Sequence, residues 1–268
     1  MRNTRLPILA TLLCCAACAT SSPRSPLPAA PNSLLQPQAA APYLYVGGSK
    51  ISEFALGATK PLRTVNVEAP DLIIALALDS FGHLFAEYGN PTSGGVIVVY
   101  DARTLARDYV IPNTAGWGSI ALDSKGNLYY CFGDPVWVYP PGYTKPLYEI
   151  RRNAHDASHL AFDASGDLYT DGVDRISEFA PSGSDGRMKW VRSFRSGVRS
   201  SDALTFGPNG DLYVADYPSC NPPCGRSSVR VYPPGASEPS LTIKSGIEAP
   251  VALAVDSTGL LYVADSPL

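Results

Sequence analysis

The chain has 268 residues, of which 45% are hydrophobic, and this is enough to bury a substantial core within a single domain. Its 25 Pro and 23 Gly predict many turns between short elements. The 21 Lys and Arg nearly balance the 24 Asp and Glu, which gives a formal net charge of −3. Because no strongly basic surface is available to hold phosphates, the composition argues against nucleic acid as a partner.

The first 19 residues have the pattern of an export signal. Arg2 and Arg5 precede an apolar run from Leu6 to Ala19, which has the length of a signal-peptide core and is too short to span a bilayer. Residues 15–18 resemble a bacterial lipobox that would place a lipid on Cys18, whereas residues 17–19 fit the small-x-small site of the general signal peptidase. Either interpretation exports the chain, as a membrane-anchored lipoprotein or as a free periplasmic or extracellular protein.

Residues 20–42 are rich in Pro, Ala and Ser and contain little to bury. This composition predicts a flexible tether between the export signal and the folded body. The folded body is expected to span residues 43–268, because Tyr43-Leu44-Tyr45-Val46 is the first segment with the composition of a buried β-strand.

A short hairpin motif recurs along the folded body. In Asp123-Ser124-Lys125-Gly126-Asn127-Leu128-Tyr129, the Asp suits the first position of a tight turn, and the Gly suits the positive φ with which the chain returns. Close copies begin at positions 79, 163, 207 and 256, and Gly207 replaces the Asp in one of them. Together with the copy at 123, the five copies follow one another in steps of 44, 40, 44 and 49 residues. A period in the forties made of short strands predicts an all-β β-propeller.

Each repeat contains four predicted strands, here named A to D in chain order. The A strands are apolar on both faces and rich in Ala, as expected for the innermost strand of a blade, and the D strands are the most polar. The predicted A strands are Ile74–Leu78, Ser119–Leu122, Leu160–Phe162, Ala203–Phe206 and Ala252–Val255. The blades are therefore expected to be four-stranded, antiparallel and radial.

The number of blades depends on two incomplete repeats. The first, from Tyr43, supplies strands B, C and D but no A, and the last supplies only strands A and B. Six B strands favour six blades with an incomplete first and last repeat. Five blades are the alternative, in which the last A strand completes the first blade.

The Leu-Ala-x-Asp-x-x-Gly-x-Leu-Tyr-Val hairpin, the Val-x-Val-Tyr third strand and the Pro-Gly turn that follows it resemble NHL-repeat proteins and the wider gluconolactonase-like (SMP-30-type) propellers. The resemblance covers about residues 43–268. It implies a six-bladed propeller, and such propellers include hydrolases, lyases and plain binding scaffolds. The hydrolases of this group hold a divalent cation such as calcium in the channel, by carboxylate and amide oxygens.

Chain alternation places the A–B and C–D turns on one side of the disc, and the B–C and D–A connections on the other. The first set is short and uniform, whereas the second varies in length, so we expect any ligand-binding site among the second set. The candidate ligand-binding residues there are Glu87, Asp134, His155, Asp156, Asp202 and Glu248. His155 with Asp156 also forms a candidate ligand or general-base pair, against the alternative of an exposed polar loop.

Other repeated or clustered residues have structural interpretations. The turn residues Asp79, Asp123, Asp163 and Asp256 are expected to shape the turns and not to bind metal, and the strand B aromatics are expected to pack between blades. Cys220 and Cys224 lie in the longest B–C connection, where an exported chain is expected to close a disulfide; zinc binding is the alternative. Cys131 is expected to be a buried, unpaired thiol.

No nucleophile–base–acid set and no phosphate-binding loop emerges from the sequence. We therefore expect a non-catalytic binding or interaction scaffold at the bacterial cell envelope, without a cofactor, whose partner is a small molecule or an envelope protein. The basic run at Arg187, Lys189, Arg192, Arg195 and Arg199 is expected to be a solvated edge, with an anionic envelope component as the alternative partner. The alternative function, which the resemblance implies, is a metal-dependent lactone hydrolase or lyase with calcium or another divalent ion held by Glu87, Asp134, Asp156, Asp202 and Glu248.

Overall fold

A computed structural model describes residues 13–16, 43–66, 72–90, 94–114, 117–143, 145–154, 157–172, 174–195, 201–216 and 227–265. These residues form β-strands joined by turns, and no helix occurs among them. The described part of the chain accordingly contains no helix that is long and apolar enough to cross a membrane. The all-β expectation is confirmed.

Five antiparallel sheets have four strands each, and in every one the strands follow one another in sequence order. Blade 1 contains β1 (Leu13–Ala16), β2 (Tyr43–Gly47), β3 (Lys50–Ala55) and β4 (Arg63–Asn66). Blade 2 contains β5 (Leu72–Leu78), β6 (His83–Asn90), β7 (Gly94–Asp101) and β8 (Arg107–Thr114). Blade 3 contains β9 (Ser119–Leu122), β10 (Leu128–Cys131), β11 (Val136–Tyr139) and β12 (Tyr148–Ile150).

Blade 4 contains β13 (Leu160–Phe162), β14 (Leu168–Gly172), β15 (Arg175–Ser182) and β16 (Arg187–Phe194). Blade 5 contains β17 (Ser201–Phe206), β18 (Leu212–Asp216), β19 (Ser228–Tyr232) and β20 (Leu241–Ile243). The remaining strands, β21 (Pro250–Val255) and β22 (Leu261–Asp265), form a two-stranded sheet. The inner strands of blades 2 to 5 agree with the predicted A strands to within two residues.

The blade count corrects the sequence-based expectation. The structure has five four-stranded blades, and a sixth is not supported because β21 and β22 pair only with each other among the described strands. The first repeat was expected to lack its inner strand, but β1 pairs with β2 and occupies that position. β1 also contacts β5 on one side and β21 on the other, so the inner strands surround a central channel.

The recurring Asp is a turn residue, as predicted. Asp163 Oδ1 accepts hydrogen bonds from the backbone N–H groups of Ser165 at 2.9 Å and Asp167 at 2.8 Å. Asp79, Asp123 and Asp256 bind the backbone in the same way, at the second and fourth residues after each of them. In the copy that has Gly207, the side chain of Asn209 accepts a hydrogen bond from the backbone N–H of Asp211. The repeated carboxylates therefore stabilise the turns.

The core lies between neighbouring blades. Tyr129 of blade 3 contacts Phe162 of blade 4 edge to face, with ring centroids 4.9 Å apart. Tyr169 of blade 4 contacts Phe206 of blade 5 in the same manner, also at 4.9 Å. The aromatic residues of the second strands therefore join adjacent blades, as the sequence predicted, and fix the positions of the inner strands around the channel.

Candidate functional site

The central channel is the cavity in which we place the candidate binding site. It encloses about 510 Å³ and is lined by the inner strands β5, β9, β13, β17 and β21. Its walls are mostly Ala, Leu and Ile, while polar side chains lie at the two ends. One end is formed by the uniform turns, with Asp79 and Asp123, whose carboxylates are already bound by the turn backbone. The other end faces the variable connections and is the candidate site.

We name this end the channel mouth and define it by Trp117, Ser119, Ser158, His159 and Asp202. These residues come from the starts of three consecutive inner strands, those of blades 3, 4 and 5. A hydrogen bond joins the starts of the inner strands of blades 3 and 4, because the backbone N–H of Leu160 donates to Ser119 Oγ at 3.3 Å. The mouth thus combines an aromatic ring, two hydroxyls, an imidazole and a carboxylate.

Trp117 is presented at the mouth by the glycine that follows it. A Cβ on Gly118 would lie 2.4 Å from the carbonyl oxygen of Cys131 and 2.4 Å from the ring of Tyr130. Only glycine therefore allows this connection to lie against the end of β10. Trp117 itself is 43% exposed, and Phe132, on the neighbouring connection, is 55% exposed. The blade 3 side of the mouth is an exposed aromatic surface.

His159 is held by Asp171, which lies at the end of β14. His159 Nδ1 lies 2.6 Å from Asp171 Oδ2, and the backbone N–H groups of Ser158 and His159 donate to Asp171 Oδ1 at 2.8 and 2.6 Å. Burial favours the neutral imidazole, but the charge and hydrogen bond of Asp171 and the charge of Asp202 outweigh it, so the pKa of His159 is raised above its usual value. The arrangement favours an imidazolium paired with a buried carboxylate.

Asp202 is the second residue of β17, and among the described residues none donates a hydrogen bond to its carboxylate. Burial raises its pKa from 3.8 to about 6. The nearby charge of His159 lowers this pKa, and the carboxylates of Asp171 and Asp216 raise it further. Asp202 is therefore a partly buried carboxylate at the channel cavity. It has no hydrogen-bond donor within the described part of the chain.

Acidic residues at the ends of second strands were missed as a group by the sequence-based reasoning. Asp171 binds two backbone N–H groups at the start of blade 4, and Asp265 binds those of Glu248 at 2.9 Å and Ala249 at 2.5 Å in the same way. Asp216 instead pairs with Arg230 of β19 at 2.8 Å. The signal was present, because Leu-Tyr-Val-Ala-Asp occurs twice, at 212–216 and 261–265, but it was interpreted only as strand.

The predicted ligand-binding residues do not form one cluster. Of those described, Asp202 alone lines the channel cavity. Glu87 is fully buried within β6, Asp134 is exposed on the connection before β11, and Glu248 is exposed before β21. His155 and Asp156 lie outside the described residues, as do Cys18, Cys220 and Cys224. Cys131 is buried and unpaired, as predicted.

The described candidates therefore do not fit a divalent cation. No group of three or more His, Cys, Asp or Glu side chains in the described ranges could hold a metal ion. A calcium ion needs six to eight oxygen ligands around one point, and residues in different blades with different burial do not supply them. Apart from Asp156, whose position is outside the described chain, the set proposed for a hydrolase is dispersed.

The basic residues of β16 are largely paired. Arg192 binds Glu178 at 2.6 Å, and Arg187 and Arg195 form longer ion pairs with Asp185 and Asp174. Because these carboxylates offset the positive charge, β16 resembles the solvated edge that was expected more than a surface for an anion. Arg199 lies outside the described residues.

Comparisons with known proteins support the fold and no finer assignment. No known family model matches the sequence, and no curated protein matches it. Among solved structures, the β-propeller domain of Cps50 (Swd1) from Myceliophteria thermophila gives a TM-score of 0.61 at 11% identity, covering 83% of this chain and 90% of that one. The WD40 β-propeller domain of Doa1 gives 0.59 at 16% identity, with 84% and 72% covered.

A chain from the mitotic checkpoint complex gives a TM-score of 0.58 at 16% identity, covering 83% of this chain and 68% of that one. At these identities the similarity shows a shared β-propeller fold. The structures found include WD40 propellers, so they support the β-propeller fold but not the narrower resemblance to NHL-repeat or gluconolactonase-like proteins.

Proposed function

We propose that this protein is an exported, NHL-like β-propeller that acts as a non-catalytic binding scaffold at the bacterial cell envelope, and that its partner is a protein. The observation that carries the proposal is the channel mouth, where exposed Trp117 lines the same cavity as the polar residues His159 and Asp202, and exposed Phe132 lies on the neighbouring connection. Exposed aromatic residues next to a polar rim are typical of protein-binding surfaces. Among the structures with this fold is a chain of a multi-protein checkpoint complex.

The fold suits such a role physically. Interlocking aromatic contacts between blades hold the inner strands in place, while the connections at the mouth differ from blade to blade. A rigid frame that presents variable loops can change its partner without changing its core. Export is supported by the pattern of residues 1–19, and a lipid on Cys18 would keep the propeller at a membrane surface. Cleavage before Cys18 would remove β1, and β21, which contacts β1, would then have to complete blade 1.

A photo-crosslinking amino acid at Trp117 or Phe132 tests the scaffold role. We expect a discrete crosslinked partner from intact bacterial cells at both positions. The matched control is Phe81, which is 57% exposed on the opposite face, beside the uniform turns, and should give none. Equal crosslinking at all three positions, or none at the mouth, would refute the proposal.

Export and anchoring are tested on the full-length chain by cell fractionation and mass spectrometry of the N-terminus. We expect the mature chain in the membrane fraction with a lipid on Cys18, and release of the Cys18→Ser variant from the membrane. A chain that stays unprocessed in the cytoplasm would refute export. A titration with calcium or zinc addresses the hydrolase alternative, because a large rise in melting temperature would favour a metal-dependent enzyme over a scaffold.

A further inference from the structure

Among the residues that the structure describes, the charges around the channel mouth do not cancel. Asp171 is paired with His159, and Asp216 is paired with Arg230. Asp202 interacts electrostatically with His159, Asp171 and Asp216. It has no ion pair among the described residues. When His159 and Arg230 are both protonated, one carboxylate remains uncompensated, and it is the one that lines the cavity.

Burying a carboxylate without a partner is unfavourable, because it loses hydration and gains nothing in return. A ligand that carries a positive charge would supply the missing partner. An anionic ligand would meet the same uncompensated charge and be repelled. The charge balance of the mouth therefore selects the sign of the ligand.

Trp117 supplies a second, independent feature. Its ring is exposed and lies at the same end of the channel as Asp202. The face of an indole attracts ammonium and guanidinium groups, more strongly than that of any other side chain. The cavity of about 510 Å³ has room for an alkyl chain behind such a group, and Ala, Leu and Ile side chains lie along its inner strands.

We infer that the channel mouth binds an alkylammonium or alkylguanidinium group, with the Asp202 carboxylate as its counter-charge and the Trp117 ring as its apolar contact. The group is carried by a Lys or Arg side chain of a partner protein or by a small organic cation. This inference rests on the proposed binding function and adds the chemical class of the ligand.

Titration of the purified full-length protein with n-butylammonium, n-butylguanidinium and uncharged n-butanol tests the inference, with calorimetry and Trp fluorescence as readouts. We expect the two cations to bind and n-butanol not to bind. Asp202→Asn should weaken cation binding by roughly tenfold or more, and Trp117→Leu by roughly threefold to tenfold. The control Asp108→Asn removes a carboxylate that is exposed on β8, and should change the affinity by less than about twofold.

A lysine-containing pentapeptide, compared with the same peptide carrying norleucine, distinguishes the two sources. Binding about tenfold tighter than that of n-butylammonium would identify a protein-borne side chain, and equal binding would identify a small cation. The inference is overturned if no cation binds, if n-butanol binds equally well, or if Asp202→Asn binds like the wild type. Crosslinking at Trp117 that persists in Asp202→Asn would preserve the scaffold proposal while refuting the cation, so the two failures are distinguishable.

Discussion

Replacing Asp202 by Asn is expected to stabilise the protein near neutral pH while it weakens cation binding. In the folded state burial raises the pKa of Asp202 from 3.8 to about 6. The folded protein therefore binds this proton more tightly than the unfolded chain does. Stability must fall as the pH rises from about 4 to about 6, where the unfolded chain has already released the proton.

The size of this effect follows from the shift in pKa. At about 1.4 kcal/mol for each pKa unit, the ionised carboxylate costs the folded state about 2–3 kcal/mol near pH 7. Asn is nearly isosteric and carries no charge, so Asp202→Asn should recover most of this free energy. For a propeller of this size, that corresponds to a melting temperature roughly 4–10 °C higher. Well below pH 3.8 the two proteins should be equally stable, since Asp202 is then protonated in both states.

Chemical denaturation of the full-length wild type and of Asp202→Asn across this pH range measures the difference. Asp108→Asn serves as the matched control, because it removes an exposed carboxylate and should leave the stability nearly unchanged at every pH. A difference between Asp202→Asn and the wild type that does not grow between pH 4 and pH 7, or a variant less stable than the wild type at neutral pH, would refute the reasoning. Such a result would mean that Asp202 has a partner that stabilises its charged form.

Four further predictions concern side chains on both faces of the propeller. Asp163→Ala should lower the free energy of unfolding by roughly 1–2 kcal/mol, because two backbone N–H groups of the turn lose their acceptor, and Asp163→Asn should restore most of it in denaturation experiments. Gly118→Ala should lower the free energy of unfolding by at least about 2 kcal/mol and change the Trp fluorescence spectrum, because the added Cβ would clash with the Cys131 carbonyl oxygen and the Tyr130 ring. Unchanged stability would contradict this close approach. His159→Gln should destabilise by roughly 1–3 kcal/mol below pH 6.5, and the loss should shrink as the pH rises through the raised pKa of His159, because the paired imidazolium stabilises the fold only while it is protonated. His83→Gln, whose imidazole pairs with Asp79 at 2.7 Å on the opposite face and also has a raised pKa, should show the same pH dependence without affecting cation binding.

The architecture of the blades was predictable because it is local. Each Asp-x-x-Gly turn fixes a hairpin through contacts within five residues, so copies such as Asp163–Gly166 can be recognised without knowing their neighbours. The inner strands follow from the same period, and Leu160–Phe162 occupies the residues that the sequence predicted. Local hydrogen bonding and periodic burial therefore carry most of the fold.

The inner strand of blade 1 was not predictable in this way. Leu13–Ala16 is apolar enough for a strand, but it lies within a run that has the composition of an export signal, and no turn motif links it to β2. Its position in the ring depends on contacts with β5 and β21, which are distant in sequence. A pattern that suits two roles cannot be assigned from composition alone, since long-range contacts decide it.

The environment of Asp202 depends on the same kind of long-range packing. Its position at the variable face followed from strand order, but its raised pKa arises from burial and from charges on two other strands, β14 and β18. Of the three neighbouring carboxylates in blades 4 and 5, Asp171 and Asp216 are bound by an imidazole and a guanidinium, while Asp202 has no ion pair within the described part of the chain. If the channel mouth were arranged only for stability, Asp202 would be paired with a cation or replaced by an uncharged residue, because an uncompensated buried charge costs free energy. The physical cost at Asp202 is therefore the strongest indication that the mouth is arranged to receive a positive charge from outside the chain.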